Sequence, residues 1–141
     1  MKMTLTVKQI NNIFNLLSNS VASTLDTADK TKVVKIRAAL KPVATAYKEF
    51  YDDLDKTLRP ADLEEKEMRA QAGALNAKEL LEYNLLALKY RKDRDGATKP
   101  ELEVTHELEL ETISDEVYHK LESENGWVLG VKDYFEPIIK D

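Results

Sequence analysis

No cysteine occurs anywhere in the chain, so disulfide stapling, thiolate catalysis and cysteine-based zinc sites are excluded. Glycine is scarce: the four present form neither a phosphate-cradling loop nor a G-x-S-x-G elbow. No window approaches the roughly 18 continuous apolar residues of a membrane span. Positive charge is also in deficit. With 21 Lys and Arg against 26 Asp and Glu, the net charge of -5 argues against nucleic acid as a direct ligand, which needs a cationic face for its phosphates. The N-terminal stretch MKMTLTVKQINNIFNLL is broken by Lys8, Gln9, Asn11 and Asn12 and makes no signal-peptide core. The expected protein is soluble and cytoplasmic.

What is present is a globular composition, 43% hydrophobic and 33% charged, over 141 residues, a length that suits one modest core. The expectation is a single domain, with a helical part over 6–92 and a β element with C-terminal helices over 101–141. Thr6 followed by Gln9 forms a capping-box pattern, and Ile10, Ile13, Phe14, Leu17 and Val21 then lay one apolar stripe along a first helix. Residues 18–30 read as a connection. Val33, Ile36, Leu40, Val43, Tyr47, Phe50 and Leu54 alternate steps of three and four, which predicts a second helix from Asp29 to Leu58 on the order of 45 Å long. Pro42 falls inside it and predicts a kink.

Arg59 to Asp62 marks a turn. A third helix follows through Leu63, Met68, Ala72 and Leu75, breaks near Gly73, restarts at the capping pair Asn76 and Glu79, and carries Leu80, Leu81, Leu85 and Leu88 on its seam. The second and third helices are expected to form an antiparallel hairpin. RKDRDGATKP, residues 91–100, reads as a loop.

ELEVTHELELET, residues 101–112, alternates. As a helix its Leu102, Val104, Leu108 and Leu110 scatter to roughly 0°, 200°, 240° and 80°, whereas as a strand they share one face. A strand is therefore expected, with those four in the core and the glutamates outside. Its pairing candidates are LLALKYRK at 85–92, GWVLGV at 126–131, or a strand from another subunit or a partner. Ser114 caps a short helix through Val117 and Leu121, and a final apolar helix carries Tyr134, Phe135, Ile138 and Ile139. The fold class is thus mainly α with a small β element (α+β).

For chemistry, His106 and Glu107 fail the zinc-protease motif because position 110 is Leu. Glutamates on one strand face lie close to 7 Å apart and point the same way, unlike a catalytic pair that must flank a substrate. They read as a solvated face that discourages edge-to-edge pairing. No catalytic residue, metal or cofactor is expected. The candidate partner-binding residues are Glu103, Glu107 and Glu109 on the acidic face, with Trp127, Tyr134 and Phe135 as apolar anchors.

The order of MTLTVKQINNIFNLLS, KVVKIRAALKPVATAYKEFYDDL with its Lys35, Arg37 and Leu40, the acidic β-like segment, and ISDEVY before a short apolar helix resembles small uncharacterised proteins encoded by tailed bacteriophages and prophages. The resemblance implies a helical fold with a small β element, a phage-borne origin, no enzymatic activity and a location in the host cell cytoplasm. The resulting expectation is a non-enzymatic protein that binds another protein in phage assembly or as a modulator, with self-association through the seam or the unpaired strand as a separate hypothesis. An acidic inhibitor that mimics nucleic-acid charge is the runner-up. A small metal-dependent enzyme using His106 or His119 is the third.

Overall fold

In the computed structural model, which describes residues 1–140, the chain is mainly helical with one two-stranded antiparallel sheet. In order, the elements are β1 (Lys2–Thr6), α1 (Val7–Ser18), α2 (Thr27–Leu58), α3 (Leu63–Gln71), α4 (Ala77–Glu103), β2 (Thr105–Glu109), α5 (Asp115–Asn125), α6 (Val131–Phe135) and a 3-10 turn at Glu136–Ile138. Among the described residues no helix is long and apolar enough to cross a membrane. The elements gather into two compact units. One is formed by Met1–Tyr47 together with the chain from Leu102 onward, and the other by Lys48–Glu101.

The first unit is closed by β1 on β2, with Leu5 opposite His106 and Met3 opposite Leu108. This partner for the acidic strand is none of the three expected: 85–92 lies within α4, and 126–131 is a turn leading into α6. The strand is also shorter than its alternation implied. Helix α4 continues through Glu103, which leaves Leu102 half-buried at the helix end and Val104 exposed, while Leu110 alone of the four expected leucines and valine is fully buried.

Thr6 ends β1 and caps α1. Its hydroxyl accepts from the Gln9 amide at 3.1 Å and its own amide donates to the Gln9 side chain at 2.9 Å, so the capping box is formed as the sequence indicates. That fixed entry turns Ile10, Ile13 and Leu17 inward against Val33, Ile36 and Leu40 of α2 and Val117, Tyr118 and Leu121 of α5. Helix α1 therefore shares its core with the C-terminal elements. Phe135 and Ile138 complete the core, and Ile113 bonds to the backbone beside Ile138 and Ile139.

The second unit contains the end of α2, α3 and most of α4. Its buried centre is small: Leu63, Ala87 and Tyr90, flanked by Leu58, Tyr83 and Leu86. The α3 end closes on Gly73 at φ +69, with the Ala74 amide donating to the Arg69 carbonyl at 2.8 Å and the Gly73 amide to Ala70 at 3.1 Å. This pattern needs a left-handed residue, which glycine adopts without steric penalty. The restart at Asn76 is capped as expected, the Glu79 amide donating to the Asn76 side chain at 2.8 Å. Residues 91–100, expected as a loop, are helical. Arg94 stacks 5.8 Å from the Tyr51 ring centre and 5.4 Å from that of Tyr90, and Thr98 is buried one turn further on. A packed face at steps of four outweighs Gly96 and Pro100. Tyr51 faces Arg94 while Arg59 faces Tyr90, so α2 and α4 run antiparallel here.

The connection 19–26 is tied down from α5. The Glu124 carboxylate accepts from the Ser23 amide at 2.9 Å, the Thr24 amide at 3.1 Å and both hydroxyls, and Asn125 exchanges two hydrogen bonds with the Val21 backbone. The Ser23 hydroxyl first, then the Thr24 amide and hydroxyl and the Ser23 amide, hold the Glu124 carboxyl down to about 2 from its ordinary 4.5, against a smaller opposing push from burial. A carboxyl with a depressed folded pKa contributes stability that is complete above its unfolded value and is lost as pH falls toward the folded one. Glu124→Gln is therefore expected to lower the thermal midpoint at pH 7, with the gap to the unmodified protein closing between about pH 4.5 and about pH 2. Circular dichroism melts across that range check it; a gap that stays constant with pH contradicts the role given to the carboxylate.

Candidate interaction surface

The sheet sorts its side chains by alternation. Lys2, Thr4 and Thr6 share the outer face with Glu109, Glu107 and Thr105, and half-buried His106 and Leu108 face inward. Glu107 and Glu109 are thus brought onto one surface, but not alone. Lys2 Nζ lies 3.6 Å from the Glu107 carboxylate, and the Met1 amine donates to Glu109 at 2.9 Å. These pairs are exposed and individually weak, yet they offset part of the negative field. Glu103 stands apart from them as the exposed last residue of α4.

At the C-terminal end three expected anchors take different positions. Phe135 is fully buried, so it cannot be a surface anchor: its ring centre is 5.1 Å from Trp127, nearly parallel, and 5.5 Å from Tyr118. Trp127 is half-buried and acts as the outer leaf of this stack. Tyr134 is exposed as expected. Burial pushes the Tyr118 hydroxyl up to about 12, helped by the nearby charge of Glu122, which is not in hydrogen-bonding geometry.

The stack holds a turn within the 126–131 segment. Gly126 at φ +63 and Gly130 at φ +99 bracket Trp127, Val128 and Leu129. Both conformations are left-handed, where any side chain is strained. Between them Val128 is largely exposed and Leu129 fully so. The turn is also fastened from α5: Lys132 Nζ lies 2.8 Å from Asp115, whose hydrogen bond lifts the lysine above its ordinary range and holds the aspartate below its own.

The histidines are not brought into one site with free ligand atoms. His119 lies on the exposed face of α5, with Nε2 3.1 Å from Asp115 and Nδ1 3.4 Å from Glu122, the i, i+3 and i, i+4 pairing of a solvated helix face. Among the described residues no group of three His, Asp or Glu side chains is placed to hold a metal ion. In the second unit a cavity of about 350 Å³ is lined by Arg59, Glu67, Tyr83, Tyr90, Arg91 and Arg94. Arg59, just past the end of α2, pairs with Asp55 of that helix at 3.2 Å, and Arg94 pairs with its neighbour Asp95 in α4 at 3.4 Å.

A further surface lies on the leucine row expected as the seam of the third helix. Leu80, Leu81, Leu85 and Leu88 are exposed, because α4 packs through the opposite row Tyr83, Ala87, Tyr90 and Thr98. The larger aromatic side chains at 83 and 90 were the available signal. Comparison of the chain with models of known protein families, with curated proteins and with solved structures finds no match.

The packing separates two adjacent aromatics by role. Phe135→Ala is expected to destabilise the protein by about 3–5 kcal/mol, since it empties a closed aromatic site. Tyr134→Ala is expected to change stability by no more than about 0.5 kcal/mol. Urea unfolding of the two variants measures both, and equal effects contradict the assignment.

Proposed function

We propose that the protein is a non-enzymatic binding module that presents a rigid apolar turn to another protein. The observation that carries this reading is the Val128–Leu129 tip, exposed yet fixed at its ends by the stacked Trp127 and Phe135, by the Trp127 amide donating to Glu122 at 3.0 Å and by the Val131 amide donating to Val128 at 3.3 Å. An exposed aliphatic pair gains by entering an apolar pocket, and one on a backbone already fixed at both ends loses less backbone freedom on doing so. Tyr134 is a further exposed aromatic on the same C-terminal segment. The resemblance to small phage-encoded proteins favours a partner in phage assembly or in a host or phage machine that the protein modulates. Against the charge-mimic reading, Lys2 and the amino terminus sit among the strand glutamates, which a mimic of a polyanion would leave unpaired.

Leu129→Asp and Val128→Asp are expected to leave the thermal midpoint within a few degrees, because neither side chain is packed. The same changes are expected to abolish capture of a partner from host or infected-cell lysate by the immobilised protein. A parallel variant with Glu103, Glu107 and Glu109 changed to Lys is expected to retain the partner. Loss of capture only in the lysine variant moves the binding function to the acidic face and overturns this reading.

A further inference from the structure

We infer that α4 pairs with α4 of a second copy of this chain, antiparallel, across Leu81, Leu85 and Leu88. The inference concerns the second unit and stands independently of the proposed role of the C-terminal turn. Helix α4 has two apolar faces. The inner one packs through Tyr83, Ala87 and Tyr90, while the outer leucines remain 60%, 59% and 60% exposed in steps of four and three. That spacing is the seam of a two-helix interface rather than scattered surface leucine.

The charges beside the ridge select the occupant. With about 100° per residue, Lys78, Glu82, Lys89 and Asp93 fall within a sector of roughly 60° along one border of the leucine row. All four are exposed, and none has an ion-pair partner within 4.0 Å among the described residues. Their order along the helix is positive, negative, positive, negative. An antiparallel pair sets this border against itself. About a two-fold axis midway between positions 85 and 86, Lys78 comes level with Asp93 of the second copy and Glu82 with Lys89, and both relations repeat by symmetry. In the same register Leu88 falls between Leu81 and Leu85 of the other helix, and the two Leu85 side chains flank the axis. A parallel pair forms none of these charge contacts and places Lys92, which continues the ridge, against its own copy. A self-complementary border of this kind fits a second copy of the same helix better than an unrelated partner.

Three leucines per chain make a small seam, so the dimer is expected to dissociate on the order of 10–100 μM. Sedimentation equilibrium of the full chain across that range tests it. The expected mass rises from the 16.1 kDa monomer toward twice that value with concentration. Leu85→Asp is expected to weaken association by at least about 100-fold without lowering the thermal midpoint, as the side chain is unpacked in the monomer. Glu82→Lys is expected to weaken it by about tenfold, and the exchange Glu82→Lys with Lys89→Glu to restore it. Because the chain has no cysteine, orientation can be read directly. Under mild oxidation a mixture of Glu82→Cys and Lys89→Cys chains should cross-link to each other, and neither alone. A constant 16.1 kDa mass at the highest concentration, dimerisation that survives Leu85→Asp, or preferential self-cross-linking of Glu82→Cys would each overturn the proposal.

Discussion

The fold depends on one long closure, the pairing of Lys2–Thr6 with Thr105–Glu109. Bringing together segments about 100 residues apart costs about 4 kcal/mol in chain entropy by the logarithmic law for flexible loops. Two strands alone do not meet that cost, since an isolated two-stranded ribbon is marginal in water. The ladder is therefore extended at both ends, by the Val7 amide donating to Val104 at 2.8 Å and the Leu110 amide to Met1 at 2.9 Å, and its inner face is covered by apolar groups from both termini. Because Thr6 ends the strand and also caps α1, the position of the sheet sets the direction in which Ile10 and Ile13 enter the core. Tyr118, Phe135 and Ile138 then have a surface to bury against.

The segment Lys48–Glu101 is left to find its own core. With only three buried hydrophobic residues, the second unit relies on guanidinium groups laid over rings, Arg59 and Arg94 on Tyr90 and Arg94 on Tyr51. Such stacks cover apolar area with long side chains whose charged ends stay near water. They complete the packing on the inner side of α4 and do nothing for the leucines on its outer side. The difference between the units is a matter of available apolar volume, and local opening is expected to be easier where that volume is small.

Local signals were well preserved in the sequence. The caps at Thr6, Asn76 and Ser114 formed with the expected donors, and the alternation of residues 105–109 identified a strand. Each depends on chemistry within a few residues. The strand's partner was not legible, because KMTLT is five residues long, runs directly into a strong helix signal and lies 100 positions away. Residues 91–100 misled through Gly96 and Pro100, whose propensities lost to the packing of Arg94 and Thr98. In α4 two apolar rows are interleaved, 81, 85 and 88 against 83, 87 and 90, and periodicity alone gives both the same weight. Tertiary contact with Leu58 and Leu63 decided between them. Phe135 and Tyr134 are neighbours of equal hydrophobic promise, separated only by which side of a one-turn helix meets Tyr118.

The C-terminal turn brings these levels together. Gly126 terminates α5 in a left-handed conformation, which points Trp127 back onto Phe135 and Tyr118 instead of continuing the helix. The next two residues have no inward direction left. The stack occupies the core side, and Gly130 turns the chain again into α6, where Lys132 is drawn to Asp115. Val128 and Leu129 are exposed because both ends of the turn are fastened, so their exposure is a product of order and not of fraying. The backbone of a turn fixed at both ends loses less freedom when it is covered, while the two exposed side chains bring the apolar area. A buried Phe135, misread as an anchor, is thus what allows its exposed neighbours in the turn to serve as one.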